Sequence, residues 1–442
     1  MARKLSNPVI VVPGITATYL RDEYALPPKT VWSVLTKRYE QIAMHPDERT
    51  LEASQPARLA PGQIFEIAYK ELIAELRHGL SERRDQPVPV YPFGYDWRQP
   101  LAFIELQLAA FIEEVIERTK LLRHYNSDEA FKADPRVNLV GHSMGGLIIA
   151  GCLATLGGAA RVGKVATLAT PFQGSYEAVI KIITGTSDLG ATPPSSRERE
   201  AARLTPALYH LMPSFPGHLR PTEQWDGPET LFDPGAWQPS VVDTISDLVR
   251  EHGLSRQAPK EQATEIFTDL LGQAKSHRRK TDRLKLDNVG LTSQDWLCVV
   301  GLDATTRVQL EITKRRGAAE FVLSSKDRKN EWTREPQEGK NPSLTGDGTV
   351  PFRGAVPKFL DEHNLVCVRP DDFGYWEIAD NVLTRVAGFH GILPNMDMLH
   401  RMLIRHFTGK PGRHKNTWGW AAPGVDPVQW DPPLSLGKAK NS

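Results

Sequence analysis

The chain has 442 residues, 40% hydrophobic and 24% charged. That balance describes a globular protein with room for one large domain carrying insertions, or for two or three smaller ones. A formal net charge of +1 argues against electrostatic capture of nucleic acid, though it leaves a local basic patch open.

Arg3 and Lys4 precede an apolar run at residues 9–12, which is too short for a secretory h-region and ends at Pro13-Gly14. No stretch of about 18 apolar residues occurs, so no transmembrane helix is expected. The mature chain is expected to start near Met1 and to be cytoplasmic, with signal-less export left open. Cys152, Cys298 and Cys367 each sit in an apolar run without metal-like spacing, and read as buried free thiols in a reducing compartment.

Residues 9–12 predict a buried strand closed by a turn at Pro13-Gly14. Ile64, Ile67, Ala68, Leu72, Ile73 and Leu76 then recur at helical spacing as far as Gly79. A second strand over residues 88–93 leads into Tyr95-Asp96-Trp97-Arg98. After Pro100, the residues Phe103, Ile104, Leu108, Phe111, Ile112, Val115 and Ile116 form the apolar face of a long helix. A strand at 137–140, a helix at 147–156 and a strand at 165–168 follow. This alternation predicts the α/β class, with a mostly parallel central sheet and helices on both faces.

Residues 179–294 break the pattern with Pro/Ser-rich and charged stretches. They read as a cap or lid inserted between a first core part, 1–178, and a second, 295–408. The second part begins with a strand at 296–302. A hairpin about Arg315-Arg316-Gly317, a strand at 365–368 and a final helix at 394–407 complete it. The tail, 409–442, reads as irregular, and the sequence leaves open what Trp418, Trp420 and Trp430 pack against.

Gly141-His142-Ser143-Met144-Gly145-Gly146 is G-x-S-x-G placed between a strand and a helix. A serine there sits on a tight turn, with glycines leaving room for neighbouring backbone and helix N–H groups facing developing negative charge. Ser143 is therefore the expected nucleophile of an α/β-hydrolase fold, and adjacent His142 reads as structural. In this fold the acid and then the base follow the serine in the chain. Asp347 lies between two glycines in Gly346-Asp347-Gly348-Thr349-Val350-Pro351, where a plain Gly-Asp-Gly turn is the alternative. His390, in a loop before the final helix, is the expected base, with His363 as runner-up. His400 and His406 fall within that helix, and His414 in the tail. The backbone N–H of Met144 and that of Ile15, after Pro13-Gly14, are the expected oxyanion donors. No metal cluster is visible, and the chemistry as read needs no cofactor.

Taken together, these segments resemble the lecithin:cholesterol acyltransferase family, which includes lysosomal phospholipase A-type enzymes and bacterial relatives; the chain looks like a bacterial-type member. The resemblance rests on residues 8–14, Gly94-Tyr95-Asp96-Trp97-Arg98, residues 141–146 and 346–351, with Val299-Val300-Gly301 and Leu211-Met212-Pro213-Ser214 in support. It implies a triad of Ser143, Asp347 and His390, and oxyanion donors at Ile15 and Met144. Asp96 and Arg98 match a segment expected to be structural near the site. The implied function is cleavage of acyl esters of glycerolipids, with transient membrane-surface contact and no nucleic-acid partner. The oligomeric state stays open. The alternatives are an acyltransferase passing the acyl group to an alcohol such as a sterol, and a non-catalytic binding protein on the same fold. The basic run at residues 275–285 reads either as a solvated helix face or as a contact for anionic headgroups. Trp225 and Trp237 read as anchors for a lid at a membrane or as packing within the cap.

Overall fold

Four apolar residues in succession give a strand no polar face, so residues 9–12 must lie between two covering layers. A computed structural model, which describes residues 5–33, 36–49, 51–52, 57–185, 195–254, 257–332, 343–374, 377, 388–410 and 419–434, places them so. In chain order the strands begin with β1 (Val9–Val12), β2 (Thr18–Asp22), β3 (Lys29–Trp32), β4 (Leu59–Ile64), β5 (Val90–Pro92), β6 (Val137–His142) and β7 (Val162–Leu168). They continue with β8 (Leu219–Pro221), β9 (Trp296–Gly301), β10 (Thr306–Arg307), β11 (Leu310–Arg315), β12 (Ala318–Val322), β13 (Arg328–Lys329) and β14 (Leu365–Val368). Six of them form a parallel sheet in the order β14-β9-β7-β6-β1-β5.

The period-2 geometry of a strand sends alternate residues to opposite layers. Ile10, Val12, Leu139, Cys298 and Cys367 join one apolar cluster, and Val9, Val11, Val140, Val299 and Val366 join the other. The second layer is covered by α1 (Glu66–Leu80), and the first by α2 (Leu101–Lys120) and α3 (Met144–Leu156). All three cysteines are buried and free. The N-terminal helix face differs from the expected one. Tyr69, Leu72, Leu76 and Leu80 are buried on α1, whereas Ile67 is 56% exposed. The layer selects the stripe that includes Tyr69, a residue that counting aliphatic positions passes over.

The insertion between β7 and β9 has its own core. It is built from α4 (Tyr176–Thr184), α5 (Ser196–Arg203), α6 (Pro239–His252) and α7 (Pro259–Asp282). Trp237 is buried in this core, and Trp225 packs against it. The hairpin of β11 and β12 also belongs here, because β11 pairs in parallel with β8 and contributes Leu310 and Ile312 to the cluster. Its alternating pattern demands an apolar partner but does not say which layer supplies one. Most of the basic run lies on α7, where His277 and Arg278 face inward. Arg278 is buried and donates to the carbonyls of His210 and Met212, at 3.0 and 3.2 Å. His277 meets the buried carboxylate of Glu105 at 2.6 Å, and Lys280 pairs with the same group. Glu105 lies on the buried face of α2, so this cluster fastens the cap to the core.

The final helix, α8 (Asp397–Thr408), starts three residues later than expected and packs on α1. In the tail, Trp420 exchanges two backbone hydrogen bonds of 2.8 Å with Cys367, and the Trp430 indole donates to Leu365 O at 2.7 Å. Both therefore pack on the edge strand β14; Trp418 lies outside the described residues. Among the described residues no helix is long and apolar enough to cross a membrane.

The Tyr-Asp-Trp-Arg segment follows β5. Arg98 is wholly buried and grips Asp96 bidentately, at 2.9 and 2.7 Å, while also donating to Ile42 O at 3.2 Å. Removing one partner of such a pair strands a buried charge. Arg98→Ala is expected to cost about 3–5 kcal/mol of stability. The shift of the urea unfolding midpoint measures it.

Candidate active site

β6 and α3 are joined by a single residue, Ser143, with φ 53° and ψ −126°. A side chain pays steric strain in that region, so the surroundings must impose it. Ser143 N–H donates to Leu168 O on the adjacent strand at 2.8 Å. Glycine two residues on is also needed, since a Cβ on Gly145 would lie 2.2 Å from Val12 O. Helix α3 begins at Met144, whose N–H is among the first-turn donors with no partner inside the helix.

Asp347 comes to this turn from a distant loop, and His390 from a short helical segment at residues 388–392 rather than from the loop expected. His390 Nε2 lies 2.9 Å from Ser143 Oγ, and His390 Nδ1 lies 2.6 Å from Asp347 Oδ2. A carboxylate only accepts, so Nδ1–H donates to it, and Nε2 is left to accept from the serine hydroxyl. Asp347 is 1% exposed and is held by the N–H groups of Thr349 and Val350, at 2.9 and 2.6 Å on Oδ1. It approaches the end of β9 closely: a Cβ on Gly301 would fall 2.5 Å from Asp347 Cβ.

The other candidates lie elsewhere. His363 is on the surface and faces Gln429 Oε1 at 3.3 Å. His400 bonds Pro394 O, and His406 faces Val165 O and Pro433 O. His414 is outside the described residues.

Ile15 lies in the turn after β1 and lines the same cavity as Ser143 and His390. Four side chains hold this loop. Tyr95 donates to Pro13 O at 2.7 Å, Trp32 to Thr16 O at 2.9 Å and Trp97 to Thr18 O at 3.2 Å, while Gly14 N–H donates to Tyr69 Oη at 2.9 Å. The Asp96–Arg98 pair thus sits in the segment that fixes the loop. The cavity measures about 1220 Å³, with an apolar wall that includes Trp32, Phe65, Leu208 and Leu211. Glu177, Lys181, Arg307 and Arg328 add charge to it, and burial holds the Lys181 amine below its ordinary range.

His142 is buried at the site. Its Nδ1 lies 2.8 Å from Tyr69 Oη, and its Nε2 lies 2.9 Å from His390 O. Sequence reasoning passed over Tyr69 and took His142 as structural. The only signal for Tyr69 was its place one turn before Leu72 on the helix.

An α/β-hydrolase fold is defined by this combination of a parallel sheet, a strained serine between strand and helix, and an inserted segment that lines the serine's cavity. Residues 62–269 match the lecithin:cholesterol acyltransferase family, a similarity that supports an enzyme acting on lipid esters by hydrolysis or acyl transfer. A chain in the crystal structure of the Tle4–Tli4 complex has the same fold, with a TM-score of 0.54 and 17% sequence identity, over 80% of this chain and 89% of that one. No curated protein sequence matches the chain.

Burial, and next the proximity of His390, push His142 down to about 3 from an ordinary 6.5. The unfolded chain therefore binds the extra proton between those values, and stability from this group is present above about 6.5 and lost as pH falls toward 3. A His142→Gln variant lacks this term. The stability gap between wild type and His142→Gln is expected to narrow by about 2 kcal/mol from pH 7 to pH 5. Urea titrations at the two pH values measure it.

Proposed function

We propose that the protein is a serine hydrolase that cleaves carboxylic esters of glycerolipids through an acyl-enzyme on Ser143. The observation that carries this reading is the unbroken line from Ser143 Oγ through His390 to Asp347. A free hydroxyl is a weak nucleophile, and a base within hydrogen-bond reach activates it. Ser143 Oγ attacks the ester carbonyl while His390 Nε2 takes its proton. Asp347 keeps the proton of Nδ1 in place and stabilises the imidazolium. The N–H groups of Ile15 and Met144 hold the negative oxygen of the tetrahedral intermediate. As the carbonyl re-forms, His390 returns the proton to the leaving alcohol, and Ser143 carries the acyl group. A water then gives its proton to His390, attacks the acyl carbonyl, and the acid departs with Ser143 reprotonated.

The apolar wall suits an acyl chain, and the charged groups opposite suit a polar headgroup. A second reading, transfer of the acyl group to an alcohol, is favoured by the cavity's size. Its volume of about 1220 Å³ exceeds the ~300–1,000 Å³ of a site for one small ligand.

Ser143→Ala is expected to lower turnover by at least ~10³. Mass spectrometry of products from phospholipid and neutral-glyceride vesicles with a sterol acceptor tests the reading. Free fatty acid from wild type alone supports hydrolysis, and a sterol ester as main product moves the assignment to acyl transfer. Equal product from Ser143→Ala, or a wild-type Ser143 that a fluorophosphonate does not label, sinks the acyl-enzyme.

A further inference from the structure

Tyr69 and His142 play no chemical part in that scheme, yet both are buried against it, at 1% and 4% exposure. The donors and acceptors between them can be assigned without choice. Gly14 N–H can only donate, so Tyr69 Oη accepts from it. The single Tyr69 hydroxyl proton then goes to His142 Nδ1. His142 must be neutral and carry its proton on Nε2, which donates to the backbone carbonyl of His390. The low proton affinity of the buried ring agrees with this tautomer.

This line starts in the loop that carries Ile15, crosses the residue before Ser143, and ends on the backbone of His390. His390 is consequently held at three points: Nδ1 by Asp347, Nε2 by Ser143, and its carbonyl by His142. The rings of His142 and His390 lie 5.2 Å apart. Keeping His142 neutral therefore also keeps a positive charge away from the imidazolium that forms on His390.

We infer that Tyr69 and His142 are positioning residues that lock the oxyanion loop, the serine turn and the helical segment carrying His390 into one register. The inference rests on the acyl-enzyme reading. A network of this kind acts as a unit, because removing either member breaks the same line. It places the reacting groups rather than binding substrate, so its loss falls on kcat.

Tyr69→Phe keeps the ring and removes the hydroxyl. It is expected to lower kcat between about tenfold and 100-fold, with KM within about twofold, since misplacing a reacting group costs rate on that scale. The rate of fluorophosphonate labelling of Ser143 should fall in parallel. His142→Leu should show the same loss, and the double variant should be no slower than the slower single one. His142→Gln, whose amide N–H can still reach the His390 carbonyl, should recover part of the rate. A merely structural role would leave the effects additive, leave Gln no better than Leu, or move thermal stability without kcat, and any of these overturns the inference. So does wild-type kcat and labelling in Tyr69→Phe. If wild-type Ser143 is itself not labelled, the acyl-enzyme reading falls and takes this inference with it. If wild type is labelled and Tyr69→Phe is labelled equally fast, only the inference falls.

Discussion

A serine side chain at φ 53° is held at the C-terminal end of β6 against its own backbone preference. The neighbouring strands and helix bear that strain. Ser143 N–H is pinned to β7, α3 starts immediately after it, and the glycine at 145 lets the helix start against the end of β1. Because β1, β6 and β7 are adjacent and parallel, their C-terminal ends deliver the Pro13 loop, the serine and the insertion to one end of the sheet. The site is thus a consequence of sheet order before it is a matter of individual side chains.

Loops that carry functional groups are only as well placed as the groups that hold them. The loop after β1 presents carbonyls and an N–H to Tyr95, Trp32, Trp97 and Tyr69, all of which place a polar tip at the end of an apolar ring. That residue type suits the task, since the ring fills core volume while the tip satisfies a buried backbone group. Asp96 and Arg98 add an ion pair whose exposure is nearly nil, and such a pair holds geometry more than it adds stability.

The insertion has its own apolar cluster and joins the body both through polar contacts on Glu105 and through Ala178, Ala201, Ala207 and Leu211, which belong to the sheet's core. Its apolar cluster includes residues from α4, α6, α7 and the β11–β12 hairpin. The contact of α7 with α2 and α3 includes Glu105, whose carboxyl burial raises to about 7 against the opposing pull of Lys280. Residues of the insertion also contribute to the cavity's apolar lining, through Ala201, Ala202, Leu208 and Leu211. Its charged composition and its apolar lining coexist because the helices are amphipathic, with one face turned to the cavity and the other to water.

Much of this was legible in the sequence because it is encoded locally. Runs such as Val9–Val12 and Trp296–Gly301 state their burial outright, and a serine between strand and helix states its turn. The order of acid and base along the chain pointed to Asp347 and His390, and the structure joins His390 to Asp347 and to Ser143 across separations of 43 and 247 residues. What the sequence could not hold was anything set by the relative placement of elements. The buried stripe of α1 depended on which layer it covered, so Tyr69 went unnoticed. Glu105 sat among charged neighbours on a long helix, and only its contact with His277 and Lys280 distinguishes it. The hairpin's alternation was plain, but its partner, the three-residue strand β8, has no apolar run of its own. Periodicity and turn chemistry are properties of neighbours in the chain, and the sequence determines them alone. Hydrogen-bond partners, ring contacts and shared cavities depend on distances between chain-distant atoms, which exist only after the layers have packed.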